Sequence, residues 1–147
     1  IAAGGLMEGR SIRAILSLGA LGAQLGTAFL LCPEASTTEG HRMALKSDAA
    51  FHTSVTRAIS GRPARGITGS FQRRVEPSNP ERIPDYPVAY DAAKQLNAAA
   101  KSQNNFEFLP NWAGQSAALC RELPASELIA RLVDEMNATE AQVPAFG

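Results

Sequence analysis

The sequence has no excess charge of either sign. Fourteen Lys and Arg face fourteen Asp and Glu across 147 residues, so it carries no electrostatic footprint for nucleic acid or for a membrane surface. It also lacks an apolar run of the roughly 18 residues that a membrane span needs. Gly19 to Leu31 comes nearest, and Gln24 and Thr27 interrupt it. Cysteine is scarce: Cys32 and Cys120 are far apart, without metal-ligand spacing, and read as buried free thiols of a reducing compartment. His41 and His52 have no carboxylate or cysteine arranged around them, so neither a metal site nor a catalytic dyad is expected. A nucleophile elbow, a P-loop and a GxGxxG fingerprint are all missing. The chain shows neither an initiator Met nor a signal peptide. Ile1-Ala2-Ala3 reads as a strand already under way, as expected of a fragment whose N-terminal part lies elsewhere. Together these absences are those expected of a cytoplasmic protein without a nucleic-acid or membrane-surface partner.

What is present is glycine at two places about one βα unit apart. Ile1 to Ala3 reads as a buried strand closed by Gly4-Gly5. Arg10 to Leu18 has Ile12, Ile15 and Leu16 at helical spacing, and Gly19 stops it. Ala23 to Leu30 reads as a second strand with no polar alternation, as suits a parallel strand covered on both faces. A strand, a helix and a strand in about 30 residues make a βαβ unit. Beyond Pro33, Ser36 with Glu39 fits a capping box that opens a helix through about Ser47. His52 to Ile59 reads as extended, Ser60 to Gly66 as a basic loop between glycines, and Arg73 to Pro87 as irregular. Asp85 to Lys101 and Trp112 to Leu123 read as helices. Pro124 is placed to open a last helix, with Leu128, Leu132, Val133 and Met136 on one face, and the tail from Thr139 should fray.

Several groups could carry chemistry. A phosphate needs N–H donors converging at about 3 Å, and a Cβ obstructs that approach. Gly4, Gly5 and the run Gln24-Leu25-Gly26-Thr27 remove or skirt the obstruction, and the helix after Gly5 would add the positive end of its dipole. The same glycines could equally serve tight turns alone. Tyr86, Tyr90 and Lys94 stand at i, i+4 and i+8 of an alanine-rich helix, where they could hold an anion or cover a planar ring; a solvated face is the plainer reading. Arg62 and Arg65 could clamp an anion, although loop closure suffices to explain them. Gly114 and Gln115 follow Trp112, where Gln115 could bond a heteroaromatic edge or merely cap a helix.

Ile1-Ala2-Ala3-Gly4-Gly5-Leu6-Met7-Glu8-Gly9-Arg10 and Gly22-Ala23-Gln24-Leu25-Gly26-Thr27-Ala28-Phe29 resemble the final βαβ unit of the FMN-dependent nitronate monooxygenases, formerly 2-nitropropane dioxygenases. Thr56 to Gly66 and Trp112 to Gln115 extend the resemblance, which covers about residues 1–135. It implies an α/β fold: the C-terminal part of an FMN-binding (β/α)8 TIM barrel in residues 1–50, with an irregular and helical extension packing on it in residues 51–147. It implies that Gly5 and Gln24, Leu25, Gly26 and Thr27 hold the FMN phosphate with Gly4 assisting. Gly114 and Gln115 would be secondary flavin contacts, and Tyr86, Tyr90 and Lys94 would line the substrate pocket over the flavin. The implied partners are an alkyl nitronate and O2, with a carbonyl compound and nitrite as products and no metal. The family's catalytic His lies in a Gly-Gly-His segment that this sequence does not contain, so the fragment alone should be inactive. The glycine elements are shared with flavin enoyl-acyl-carrier-protein reductases, which keeps enoyl reduction as an alternative. A non-catalytic FMN-binding module is another, with homodimerisation covering its strand edges.

Overall fold

A computed structural model describes residues 1–75 and 80–140 of the chain. Within it the chain divides into two compact units. One joins Ile1–Thr37 to the segment from Leu119 onward; the other is Thr38–Ala118.

The first unit opens with β1 (Ala2–Ala3), crosses through α1 (Gly9–Ser17) and returns in β2 (Ala23–Gln24). The strands are parallel, with Ala2 opposite Ala23 and Ala3 opposite Gln24, so the βαβ unit read from the sequence is present. β2 is much shorter than the expected Ala23 to Leu30. Past Gly26 the backbone bends, and the N–H groups of Phe29 and Leu30 turn back to the carbonyls of Gly26 and Thr27. Thr27–Phe29 is therefore a 3-10 turn. Its apolar residues are buried not in a sheet but against α5 (Ala125–Glu140). Met7, Ala28, Cys32, Leu128 and Leu132 form the core, with Ile12, Leu25, Phe29, Cys120, Leu123 and Ala125 packed around it. Each fully buried Leu there contributes about 2 kcal/mol of apolar burial.

α5 starts one residue after Pro124, whose carbonyl accepts the Leu128 N–H at 2.9 Å; the proline caps the helix instead of opening it. Leu128 and Leu132 are buried as expected, while Val133 is turned outward and half exposed. The helix runs through Glu140, past the point at which fraying is expected, and residues 141–147 lie outside the described range.

The second unit begins with α2 (Glu39–Leu45). Its N-cap is Thr38, whose hydroxyl accepts the His41 N–H at 3.4 Å. The expected Ser36–Glu39 capping box is absent: Glu39 is the first helical residue, and the helix stops short of Ser47. β3 (Thr53–Thr56) pairs antiparallel with β4 (Ala64–Ile67), Thr53 opposite Ile67 and Thr56 opposite Ala64. Half of the expected basic loop is thus strand. Gly66 extends the pairing to Trp112 through an isolated antiparallel bridge. This removes the helix expected over Trp112 to Leu123, of which only a 3-10 turn at Ala117–Leu119 remains. α3 (Ser70–Val75) takes the start of the segment expected to be irregular; residues 76–79 of it lie outside the described range. α4 (Val88–Ser102) is the expected alanine-rich helix, begun three residues late, after Pro87.

Candidate functional site

Parallel pairing in register puts the C-terminal ends of β1 and β2 side by side. Ala3 faces Gln24, so Gly4-Gly5 leave one strand where Leu25-Gly26 leave the other. Gly4 and Gly5 adopt φ of 94° and 72°, a region that an L side chain rarely enters, so turn geometry alone accounts for both. Gly26 is different. Its φ of −114° and ψ of −62° suit other residues, and a Cβ built on it meets nothing within 4 Å. Elsewhere glycine answers to a close neighbour: a Cβ on Gly9 would lie 2.2 Å from the Leu132 carbonyl, and one on Gly61 2.5 Å from that of Pro84. Gly22, at the opposite end of β2, is open like Gly26. The distinction of Gly26 is that it is open at the C-terminal tip of a parallel strand, where α/β proteins bind ligands.

Around these tips, the Leu25 side chain packs on the Met7 core and leaves its backbone to line the tip. Gln24 is exposed. The N-terminus of α1 is not open to an anion as the sequence suggested, because the Gly9 N–H already donates to the Glu135 carboxylate at 2.8 Å. Burial works to raise the Glu135 pKa. The hydrogen bonds from Arg121 and Gly9 and the charges of Arg121 and Arg131 outweigh it and hold the carboxyl below its usual range. The positive end of this helix is therefore matched within the unit, and an incoming phosphate would depend on the loop amides.

In the second unit, Tyr86 precedes α4 instead of lying on it, yet the three expected side chains come together. The Tyr86 and Tyr90 rings stack with centroids 6.1 Å apart. The Lys94 ammonium sits 4.5 Å from the Tyr90 centroid, and the Arg62 guanidinium 5.1 Å from that of Tyr86. The result is a cation–aromatic–aromatic–cation stack, with Arg62 a member that periodicity alone could not supply. Lys94 also pairs with Asp91 at 3.1 Å; that hydrogen bond, ahead of the surrounding charges, raises the Lys94 pKa and keeps the ammonium protonated. The rest of the basic segment serves closure: Arg57 reaches Asp85, and Arg65 donates to the carbonyl and hydroxyl of Thr53. Gly114 and Gln115 lie just past the Trp112 bridge rather than at a helix start, and Gln115 is exposed. Among the described residues no group of three or more His, Cys, Asp or Glu is placed to hold a metal. No helix among the described residues is long and apolar enough to cross a membrane.

An α/β chain with glycine-tipped parallel strands and a separate aromatic–cation cluster is thus in view. It belongs to the nitronate monooxygenase family, a family of oxidoreductases, matching it over residues 1–135. It is 52% identical over 147 residues to the nitronate monooxygenase of Paraburkholderia phytofirmans, covering 99% of this chain and 40% of that protein. It is 51% identical over 138 residues to that of Pseudomonas aeruginosa, covering 93% and 39%. Among solved structures, nitroalkane oxidase from Streptomyces ansochromogenes superposes with a TM-score of 0.88 at 38% identity, over 95% of this chain and 40% of that one. The chain spans about 40% of the length of these relatives.

Proposed function

We propose that this chain is the C-terminal portion of an FMN-dependent nitronate monooxygenase, an enzyme that oxidises alkyl nitronates with O2 to carbonyl compounds and nitrite. In this reading residues 1–50 form the last βαβα part of a TIM barrel and residues 51–147 the extension on it. Backbone amides of Gly4, Gly5, Gln24, Leu25, Gly26 and Thr27 hold the FMN phosphate, and Gly114 and Gln115 approach the flavin. Tyr86, Tyr90 and Lys94 line the substrate pocket.

The observation that carries the reading is Gly26. Neither its backbone angles nor its neighbours in the chain call for a glycine, and a group approaching from outside does. A Cβ there would occupy space that a phosphate oxygen needs in order to reach N–H donors at hydrogen-bond distance.

When bound, FMN supplies the redox chemistry. The work left to the residues is binding and orientation. A nitronate is an anion, and the protonated Lys94 attracts it while the tyrosine hydroxyls offer donors to its oxygens. The aromatic stack fixes the position of that charge, and Asp91 moderates it. Enoyl reductases and bare FMN-binding modules share the glycine tips; the cationic stack, which suits an anionic substrate, favours the nitronate reading.

Gly26→Val tests the reading. It should leave the urea midpoint of the chain unchanged within about 0.5 kcal/mol of stability, as for an exposed site. It should weaken FMN binding about tenfold or more, the equivalent of one lost charge-assisted hydrogen bond. Unchanged FMN affinity would remove the phosphate assignment. The chain alone should release no nitrite from propyl-2-nitronate, and nitrite release by it would refute the fragment reading.

A further inference from the structure

The segment leading into α5 contacts the end of the Gln24–Thr27 run and the start of α1. The Cys120 thiol donates to the Thr27 carbonyl at 3.1 Å, across 93 residues of sequence. That carbonyl also accepts the Leu30 N–H at 3.1 Å, so two donors fix the end of the Gln24–Thr27 run. Burial, with Cys32 nearby, pushes the Cys120 pKa up to about 11, and the proton this bond needs stays on sulfur at neutral pH.

The next residue reaches the start of α1. Arg121 Nη1 lies 2.7 Å from Glu135 Oε1, and its Nη2 donates to Glu135 Oε2 at 3.2 Å and lies 3.9 Å from Glu8 Oε1. Glu135 Oε2 accepts the Gly9 N–H, which fixes the start of α1 a few residues beyond Gly4-Gly5. The Arg121 side chain is only 20% exposed, and a partly buried charge-assisted contact is stronger and more directional than a surface pair. Two adjacent residues therefore hold the end of the Gln24–Thr27 run directly and, through Glu135, the start of α1.

We infer that Cys120-Arg121 is a positioning pair: it sets the spacing of the two glycine tips, and through that spacing the affinity for a phosphoryl group, without contacting the ligand. The inference rests on the phosphate reading above. It goes further by naming what holds the grip in shape. Amide donors about 1 Å out of place lose most of a hydrogen bond, so small displacements should matter to a phosphate and not to a flavin that lacks one.

The test compares FMN with riboflavin, the same ring system without the phosphate. Dissociation constants for both are measured by quenching of flavin fluorescence on the chain as it stands and on C120A, C120S, R121A and R121K, with thermal midpoints recorded for each. Wild type should bind FMN about tenfold or more tighter than riboflavin. C120A and R121A should bring that ratio towards one with riboflavin binding unmoved, and C120S, which keeps an O–H donor, should restore it. C120A changes no charge and so separates positioning from electrostatics. If R121A does not fold, R121K, which keeps the charge and loses the fork, should still lower the ratio. A wild-type ratio near one would overturn the phosphate reading and this proposal together. A high wild-type ratio that the variants keep while their midpoints fall would leave the phosphate reading standing and reduce Cys120 and Arg121 to structural contacts.

Discussion

His41 illustrates how much one side chain depends on its surroundings. It sits in the first turn of α2, and its Nε2 is buried with no hydrogen-bond partner among the described residues. Burial disfavours the imidazolium and lowers its pKa from 6.5. The sign follows from linkage: the unfolded chain takes up a proton below pH 6.5 while the native His41 resists it, so stability present above that pH is lost as pH falls towards the lowered native value. Wild type should therefore show a urea midpoint that falls as pH drops below about 6.5, and His41→Gln should flatten that slope; equal slopes would show that His41 is not the group responsible. The sequence offers no carboxylate or cysteine spaced to make this histidine a ligand or a catalytic base. It could not reveal the burial, which comes from residues distant in the chain. Gly26 shows the converse: the sequence gives the glycine, and only coordinates show that nothing inside the chain requires it.

At the scale of elements, the contact between α1 and α5 holds the first unit together. A Cβ on Gly9 would lie 2.2 Å from the Leu132 carbonyl and 2.4 Å from the Met136 amide, both backbone atoms of a helix that cannot yield. Gly9→Ala should therefore cost about 3 kcal/mol or more, beyond an ordinary overpacked core, as read from the denaturant midpoint. A loss under about 1 kcal/mol would mean that the helices are not packed this closely. Elements of strong periodicity were legible from residues alone: α1, α4 and α5 appear within a few residues of their expected bounds, and β1 and β2 pair as a βαβ unit should. Other elements were not, among them β4 and α3. Ala23 to Leu30 is apolar throughout, which cannot distinguish a buried strand from a buried turn, and the core formed by Met7 and Leu128 decided for the turn. Trp112 to Leu123 has helical composition, yet Gly66 presents a backbone edge that Trp112 pairs with, and long-range pairing of that kind leaves no local trace.

On the scale of the whole chain, apolar surface stands uncovered. Ile1, Leu18 and Leu21 are 90%, 83% and 97% exposed, and β1–β2 and β3–β4 are each sheets of two strands. Unpaired strand edges beside exposed aliphatic side chains favour association. Sedimentation of the isolated chain should show a concentration-dependent shift to larger species, and a sharp monomer at all concentrations would contradict this. The Tyr86–Tyr90–Lys94 cluster was legible as a spacing of four residues, and the neighbouring strand tips as paired glycines. The bond from Cys120 to the Thr27 carbonyl was not, because it joins residues 93 positions apart.

The first unit is discontinuous, and that has a consequence for how it is made. Its strands and α1 leave the ribosome before the helix that covers Met7, Ala28 and Cys32. Until α5 emerges, these residues lack the cover that Leu128 and Leu132 give them, and the intervening residues are synthesised in the meantime. A nascent chain stalled before Leu119 should remain open to protease at the glycine tips and become protected only when the final helix arrives.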